Sequence, residues 1–195
     1  MTLETLREQA LACTACPLSQ TRLHVVFGTG NPQADILFVG EGPGRREDET
    51  GEPFVGAAGK LLDTFLAAMD MDRSKVYIAN IVKCRPPENR DPLPQEEDAC
   101  MPFLEQQIAL LQPKLLICLG RIAAKRLIRP DFQVTKEHGR LFQKDGYYRM
   151  ATFHPAALLR NPATKAPTFE DFEIIRRFYS NPEYTPSAEE VASLP

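Results

Sequence analysis

Between residues 35 and 59 the chain reads DILFVGEGPGRREDETGEPFVGAAG. The stretch opens with an unbroken apolar run, Ile36-Leu37-Phe38-Val39, stopped by glycine. A short apolar run without alternation fits a strand buried on both faces of a sheet. The turn that follows, Gly40-Glu41-Gly42-Pro43-Gly44, holds three glycines, which permit a tight path and close approach of backbone to a ligand. Pro53-Phe54-Val55-Gly56 then leads into a helical segment from about residue 59. A buried strand, a glycine-rich turn bearing one carboxylate, an aromatic and a helix together predict one wall of a small-molecule pocket.

Three further apolar runs repeat the theme at residues 76–82, 114–119 and 148–153. Helical segments separate them, at residues 59–69, 95–111 and 121–127, and another follows at 169–179. Strands alternating with helices of this length predict a single α/β/α sandwich with a central, mainly parallel four-stranded sheet. A short edge strand is expected at residues 25–28, and a hairpin within 133–147 turning at Asp145-Gly146. In such sheets ligands bind beyond the carboxyl ends of the strands. The four runs end on or beside Gly40-Glu41, Asn80, Gly120 and His154, so four chemically useful groups meet at one sheet edge.

The chain is 195 residues long with 25% charged residues, which fits one folded domain over residues 1–179. Residues 180–195 hold three glutamates and no base, and are expected to form a disordered acidic tail. Without them the 23 basic residues face an equal number of acids, so the net charge of −3 does not exclude nucleic acid. No run approaches the length of a membrane span, and the N-terminus lacks the regions of a signal peptide; the expectation is a cytosolic protein.

In a reducing compartment five cysteines point to metal ligands or core residues rather than disulfides. Cys13 and Cys16 form a Cys-x2-Cys pair, with Cys84 and Cys100 further on. Zinc and an iron–sulfur cluster both accept four thiolates, and spacing does not separate them; two unrelated core thiols are the plainer reading of the pair. Cys118 lies inside an apolar strand and reads as core.

Taken together, Gly40-Glu41-Gly42-Pro43-Gly44, Pro53-Phe54-Val55-Gly56, Asn80, the run His154-Pro155-Ala156-Ala157-Leu158-Leu159-Arg160 and the four cysteines closely resemble the family 4 (iron–sulfur) uracil-DNA glycosylases, from about Cys13 to Tyr179. The resemblance implies a DNA repair enzyme that flips uracil out of DNA and hydrolyses its N-glycosidic bond, leaving an abasic site. It also implies a [4Fe–4S] cluster on Cys13, Cys16, Cys84 and Cys100, and a uracil pocket made by Gly40, Glu41, Gly42, Phe54, Asn80 and His154. Better-known members of the superfamily carry a water-activating aspartate in the glycine turn, where this chain has Gly42.

The chemistry gives each residue a task. A flipped base is stacked on an aromatic and read along its polar edge, which suits Phe54 and Asn80. One fixed amide accepts from uracil N3–H and donates to O4, whereas cytosine offers the reverse pattern. The leaving base gathers negative charge, which His154 and the backbone N–H groups of residues 40–42 are placed to stabilise. Glu41 has two readings, positioning the attacking water or holding the loop. Glu47 and Asp48 read as a solvated acidic loop, with exclusion of the thymine methyl as the alternative.

For DNA contact the candidates are Lys83, Arg85 and Arg90 beside the cysteine loop, Arg121 with Lys125, Arg126 and Arg129, and Arg160 with Lys165. Leu158 or Leu159 is the candidate wedge for the gap left by the flipped base. A monomer is expected, acting on double- or single-stranded DNA. Two competing classes remain: a superfamily member that traps uracil-DNA without turnover, and a cluster-stapled nucleic-acid-binding module. The first resembles proteins with a reactive histidine after the asparagine, and this chain has no histidine between Asn80 and Cys100.

Overall fold

In the computed structural model, which describes residues 1–194, the chain runs α1 (Leu3–Leu11), β1 (Thr29–Gly30), β2 (Ile36–Gly40), α2 (Arg45–Thr50), α3 (Ala57–Ala68), β3 (Tyr77–Asn80), α4 (Pro94–Leu111), β4 (Leu115–Leu119), α5 (Arg121–Leu127), α6 (Val134–Glu137), β5 (Leu141–Lys144), β6 (Tyr147–Thr152), α7 (Pro155–Arg160), α8 (Lys165–Ser180) and β7 (Val191–Ala192). The four apolar runs become the four parallel strands at the centre of the sheet, β3-β2-β4-β6. Every residue of β2, β3 and β4 is buried, because both faces are covered. Alternate side chains serve the two layers. Leu37 and Val39 join the core that includes Leu6 and Leu104 of α1 and α4, while Ile36 and Phe38 pack with residues of α3 and α8.

The sheet has seven strands rather than four. The additional strands are β1 at one edge and β5 with β7 at the other side. β1 pairs antiparallel with β3, immediately after the edge strand expected at 25–28. β5 and β6 form the expected hairpin; Asp145 and Gly146 at its turn take φ of 55° and 87°, the geometry a tight hairpin needs. The start of the expected hairpin segment is instead the helical turn α6.

The tail also departs from its expected disorder. β7 pairs with Leu141 and Phe142 of β5, Tyr184 stacks edge-on against Phe178 at 4.9 Å, and Glu190 meets Arg177 at 3.2 Å. The acidic count hid these anchors: one aromatic and two apolar residues suffice to dock the segment. No helix among the described residues is long and apolar enough to cross a membrane.

The strand order places β3 and β4 on opposite sides of β2, so the crevice between their carboxyl ends is where a ligand site belongs. α7 follows β6 at the same edge. On it Leu158 is fully buried, which removes it as a DNA wedge, whereas Leu159 is 48% exposed. The helical phase decides between neighbours. Leu158→Ala is expected to lower stability by about 2–5 kcal/mol in urea denaturation. Leu159→Ala should change it by less than about 0.5 kcal/mol.

Candidate active site

Glycines at the strand ends let the functional side chains meet. A Cβ on Gly40 would lie 2.5 Å from Asn80 Oδ1 and 2.6 Å from Phe54 Cζ, so the amide and the ring both rest where a larger residue would stand. Gly120, at φ 88°, caps β4 in a conformation that disfavours other residues, and a Cβ there would lie 2.8 Å from His154 Cβ. Gly42 is packed as tightly against Val82. The result is an open cleft of about 510 Å³ that brings together Glu41, Gly42, Phe54, Asn80, Arg121, His154 and Arg160. Pro86, Asn89 and Asp91 of the loop before α4 and Thr135 of α6 complete its wall. Those four carry no motif and were not legible in sequence.

Asn80 ends β3 and is 1% exposed, yet its Oδ1 has no hydrogen-bond partner. A buried acceptor left unpaired costs about 1–3 kcal/mol, so this oxygen is poised for a donor brought by a ligand.

Phe54 sits 6% exposed with its ring centroid 5.6 Å from that of His154. Its φ is 54°, a left-handed conformation that costs a non-glycine residue about 1 kcal/mol or more. Two charged side chains hold it there. Arg73 donates to the carbonyls of Pro53 and Phe54 and is anchored by Asp63 at 2.7 Å. Glu47 Oε1 accepts from the N–H groups of Val55 and Gly56 at 2.9 and 2.8 Å. Glu47 and Asp48 are therefore not a solvated loop. They lie on α2, and buried Asp48 accepts from the amides of Leu23 and His24 at 2.9 and 3.3 Å. Glu47→Ala is expected to lower stability by roughly 2 kcal/mol in thermal or urea denaturation.

His154 caps α7, and its Nδ1 accepts from the Ala156 N–H at 3.1 Å. That bond fixes the neutral tautomer, with the proton on Nε2. Burial pushes the imidazole down to about 4, and the positive field of Arg160 adds to the shift. At neutral pH the ring is an uncharged donor.

Glu41 is half-buried, and burial pushes it up to about 7; Asp91 adds to the rise while Arg121 opposes it. The folded-state value lies above the ordinary 4.5. Across that window the native state keeps a proton that the unfolded chain has released, so stability falls as pH rises. Glu41→Gln is expected to abolish this component. Its melting temperature should gain on the wild type as pH goes from about 5 to about 8.

The description "Uracil DNA glycosylase superfamily" belongs to the family model that matches residues 27–174. A type-4 uracil-DNA glycosylase of Thermotoga maritima is 43% identical over 180 residues, 90% of this chain and 94% of the relative. Those of Sulfurisphaera tokodaii and Archaeoglobus fulgidus are 41% and 40% identical, over 93% and 89% of this chain and 86% and 91% of theirs. The chain is a type-4 member of the uracil-DNA glycosylase superfamily.

In this type-4 chain the basic candidates fare unequally. Lys83 is fully buried, which removes it as a DNA contact. Arg90 forks onto Glu96 with both bonds at 2.8 Å, Arg126 pairs with Asp98, and Arg85 donates to Asn89 at 2.7 Å. Arg121 meets Asp91 at 2.5 Å on the cleft wall, and exposed Arg160 lies at the same mouth.

Cys13, Cys16, Cys84 and Cys100 line one cavity with Arg22, Lys83 and Phe103. None is in a disulfide. Each of three sulfurs receives an N–H: Ala15 to Cys13 at 3.5 Å, Lys83 to Cys100 at 3.2 Å, and the Arg22 guanidinium to Cys84 at 3.3 Å. Among the described residues no three Cys, His, Asp or Glu side chains converge as a single bound ion would require. Cys118 is fully buried in β4, and burial pushes its thiol far up, as expected of a core residue.

Proposed function

We propose that this chain excises uracil from DNA, hydrolysing the N-glycosidic bond to give free uracil and an abasic site. The observation that carries the reading is the unpartnered, buried Oδ1 of Asn80 beside a neutral His154 whose Nε2 bears a proton. Uracil N3–H satisfies that oxygen while the amide N–H groups donate to O4. Cytosine has no hydrogen on N3 and leaves the oxygen orphaned. Phe54 stacks on the base, held by Arg73 and Glu47. His154 Nε2–H donates to uracil O2 as charge develops there, together with the amides of residues 40–42. Being neutral in both states, His154 acts without a proton transfer. Glu41 positions water and the sugar rather than serving as a strong base, since a carboxyl near 7 is only partly ionised at neutral pH.

Cys13, Cys16, Cys84 and Cys100 are the ligands for a [4Fe–4S] cluster in this reading. Their shared cavity and the N–H groups aimed at three sulfurs fit thiolate ligands. The cluster supplies a covalent staple between the N-terminal arm and the loop before α4. Arg121 and Arg160 engage phosphates at the cleft mouth, Arg85 is a further phosphate contact, and Leu159 fills the gap left by the base. The partner is uracil-containing DNA, and the protein acts as a cytoplasmic monomer.

The test is an oligonucleotide with one uracil, followed by alkali. Strand scission at the uracil position with no protein–DNA adduct on a denaturing gel is the expected result. A stable adduct, or binding without scission, would favour the non-turnover member or the binding module.

A further inference from the structure

Lys83 is buried to 2% exposure, and its ammonium donates to Asn80 O at 2.9 Å and Gln107 Oε1 at 2.5 Å. The Phe27 ring lies beneath it, with the centroid 5.9 Å away. None of these partners is charged. Taking an ammonium out of water costs several kcal/mol even after relaxation, and buried charges are ordinarily matched by an opposite one. Neighbouring groups show where the match lies. Lys83 immediately precedes Cys84, its N–H donates to Cys100 Sγ at 3.2 Å, and it lines the cavity walled by the four cysteines. Arg22 lines the same cavity and donates to Cys84 Sγ at 3.3 Å. Arg22 thus sets a cation on the chamber of thiols, the Lys83 ammonium stands near enough to interact with the Cys100 sulfur, and a cluster held there by four thiolates carries net negative charge.

The Lys83 backbone is fixed as firmly as its side chain. Val26 N–H donates to its carbonyl at 2.8 Å, and Gln107, which receives the ammonium, donates to Phe27 O at 2.9 Å. The side chain therefore reaches back from the cysteine chamber to the main chain of the residue whose amide faces the cleft.

We propose that Lys83 is the counter-charge of the iron–sulfur cluster and, through the same ammonium, the tether that positions Asn80, so that filling the cysteine chamber steadies the uracil-reading amide. Lys83 is a positioning residue, touching neither base nor sugar. The inference rests on the cluster and uracil readings above. With the cluster bound, the ammonium is compensated and its charge-assisted bond to Asn80 O is held in place. Without it, the segment from Asn80 to Cys84 carries an unmatched buried charge and loosens.

The experiment compares cluster-loaded wild-type protein with Lys83→Met, which keeps the length of the side chain and removes the charge. Iron and sulfide analysis of the wild type comes first; a chain that holds neither overturns the cluster reading and this inference with it. In the loaded variant the cluster's reduction potential is expected to become more negative, because a nearby positive charge stabilises the reduced form. Loss of the cluster to a chelator should quicken about tenfold, the scale typical of outer-shell partners. Uracil release should slow by a similar factor. The first two readouts need no DNA, so they stand whether or not the uracil reading does. A loaded Lys83→Met protein with wild-type potential and chelator resistance overturns the inference alone. If that variant yields no folded protein, Gln107→Glu gives the ammonium a carboxylate while leaving Asn80 O in reach. A more negative potential supports the proposal, and an unchanged potential overturns it.

Discussion

Alanine at position 154 is expected to slow single-turnover uracil release by two to three orders of magnitude, about 3–4 kcal/mol of transition-state stabilisation. The imidazole is a preformed neutral donor: the Ala156 N–H occupies Nδ1, and burial keeps the ring uncharged. It can therefore meet charge developing on O2 without first losing a proton. The loss should be nearly constant from about pH 6 upward, since the wild-type ring does not titrate there. Alanine also removes the acceptor that caps α7, a loss of about 1 kcal/mol in stability. His154→Asn separates the two effects, because asparagine caps well but cannot place a donor where Nε2 stands. It should fold as stably as the wild type and still release uracil slowly. Rapid quench with a uracil oligonucleotide and a thymine control measures the loss.

Asn80→Ala is the second large effect. Uracil release should fall by roughly a hundredfold or more, because a site built to hydrogen-bond its substrate loses both orientation and selectivity when the amide is removed. Stability should respond in the opposite sense to an ordinary buried truncation. The wild-type protein holds a buried oxygen without a partner. Deleting it relieves about 1–3 kcal/mol, which offsets the packing lost with the side chain. A variant that is inactive yet no less stable than wild type by more than about 1 kcal/mol marks Asn80 as a reading group. If Asn80 were a structural cap, the same substitution would lower the melting temperature clearly.

How far the sequence reveals this molecule depends on the length of the signal. Runs such as Ile36-Leu37-Phe38-Val39 and Leu115-Leu116-Ile117-Cys118-Leu119 are long enough, and buried on both faces, so the four central strands and their parallel order were legible. β1 and β7 are two residues each and owe their existence to a neighbouring edge, which no local pattern encodes. Residues 45–50 looked like a polar loop because charge dominates them. α2 forms there because Glu47 and Asp48 spend their carboxylates on the backbone of other segments, at Val55, Gly56, Leu23 and His24. Phe54, Asn80 and His154 were identifiable by type and by their places at strand ends. The left-handed φ of Phe54 and the unpartnered oxygen of Asn80 are products of tertiary contact. Lys83 was misplaced for the same reason. A lysine beside a proline-rich loop reads as solvent-facing, and only the packing of α4 and the cysteine chamber makes it interior.

The central claim is that stabilising the departing base, rather than activating water with a strong base, carries the rate. The resemblance sets Gly42 where better-known superfamily members hold an aspartate, and the adjoining carboxyl, Glu41, is pushed up to about 7. Single-turnover uracil release by Glu41→Gln tests this most directly. Measured at about pH 8, where wild-type Glu41 is mostly ionised, the variant should stay within about threefold of the wild-type rate. A loss matching that of His154→Ala would contradict the account and make Glu41 the base that drives hydrolysis.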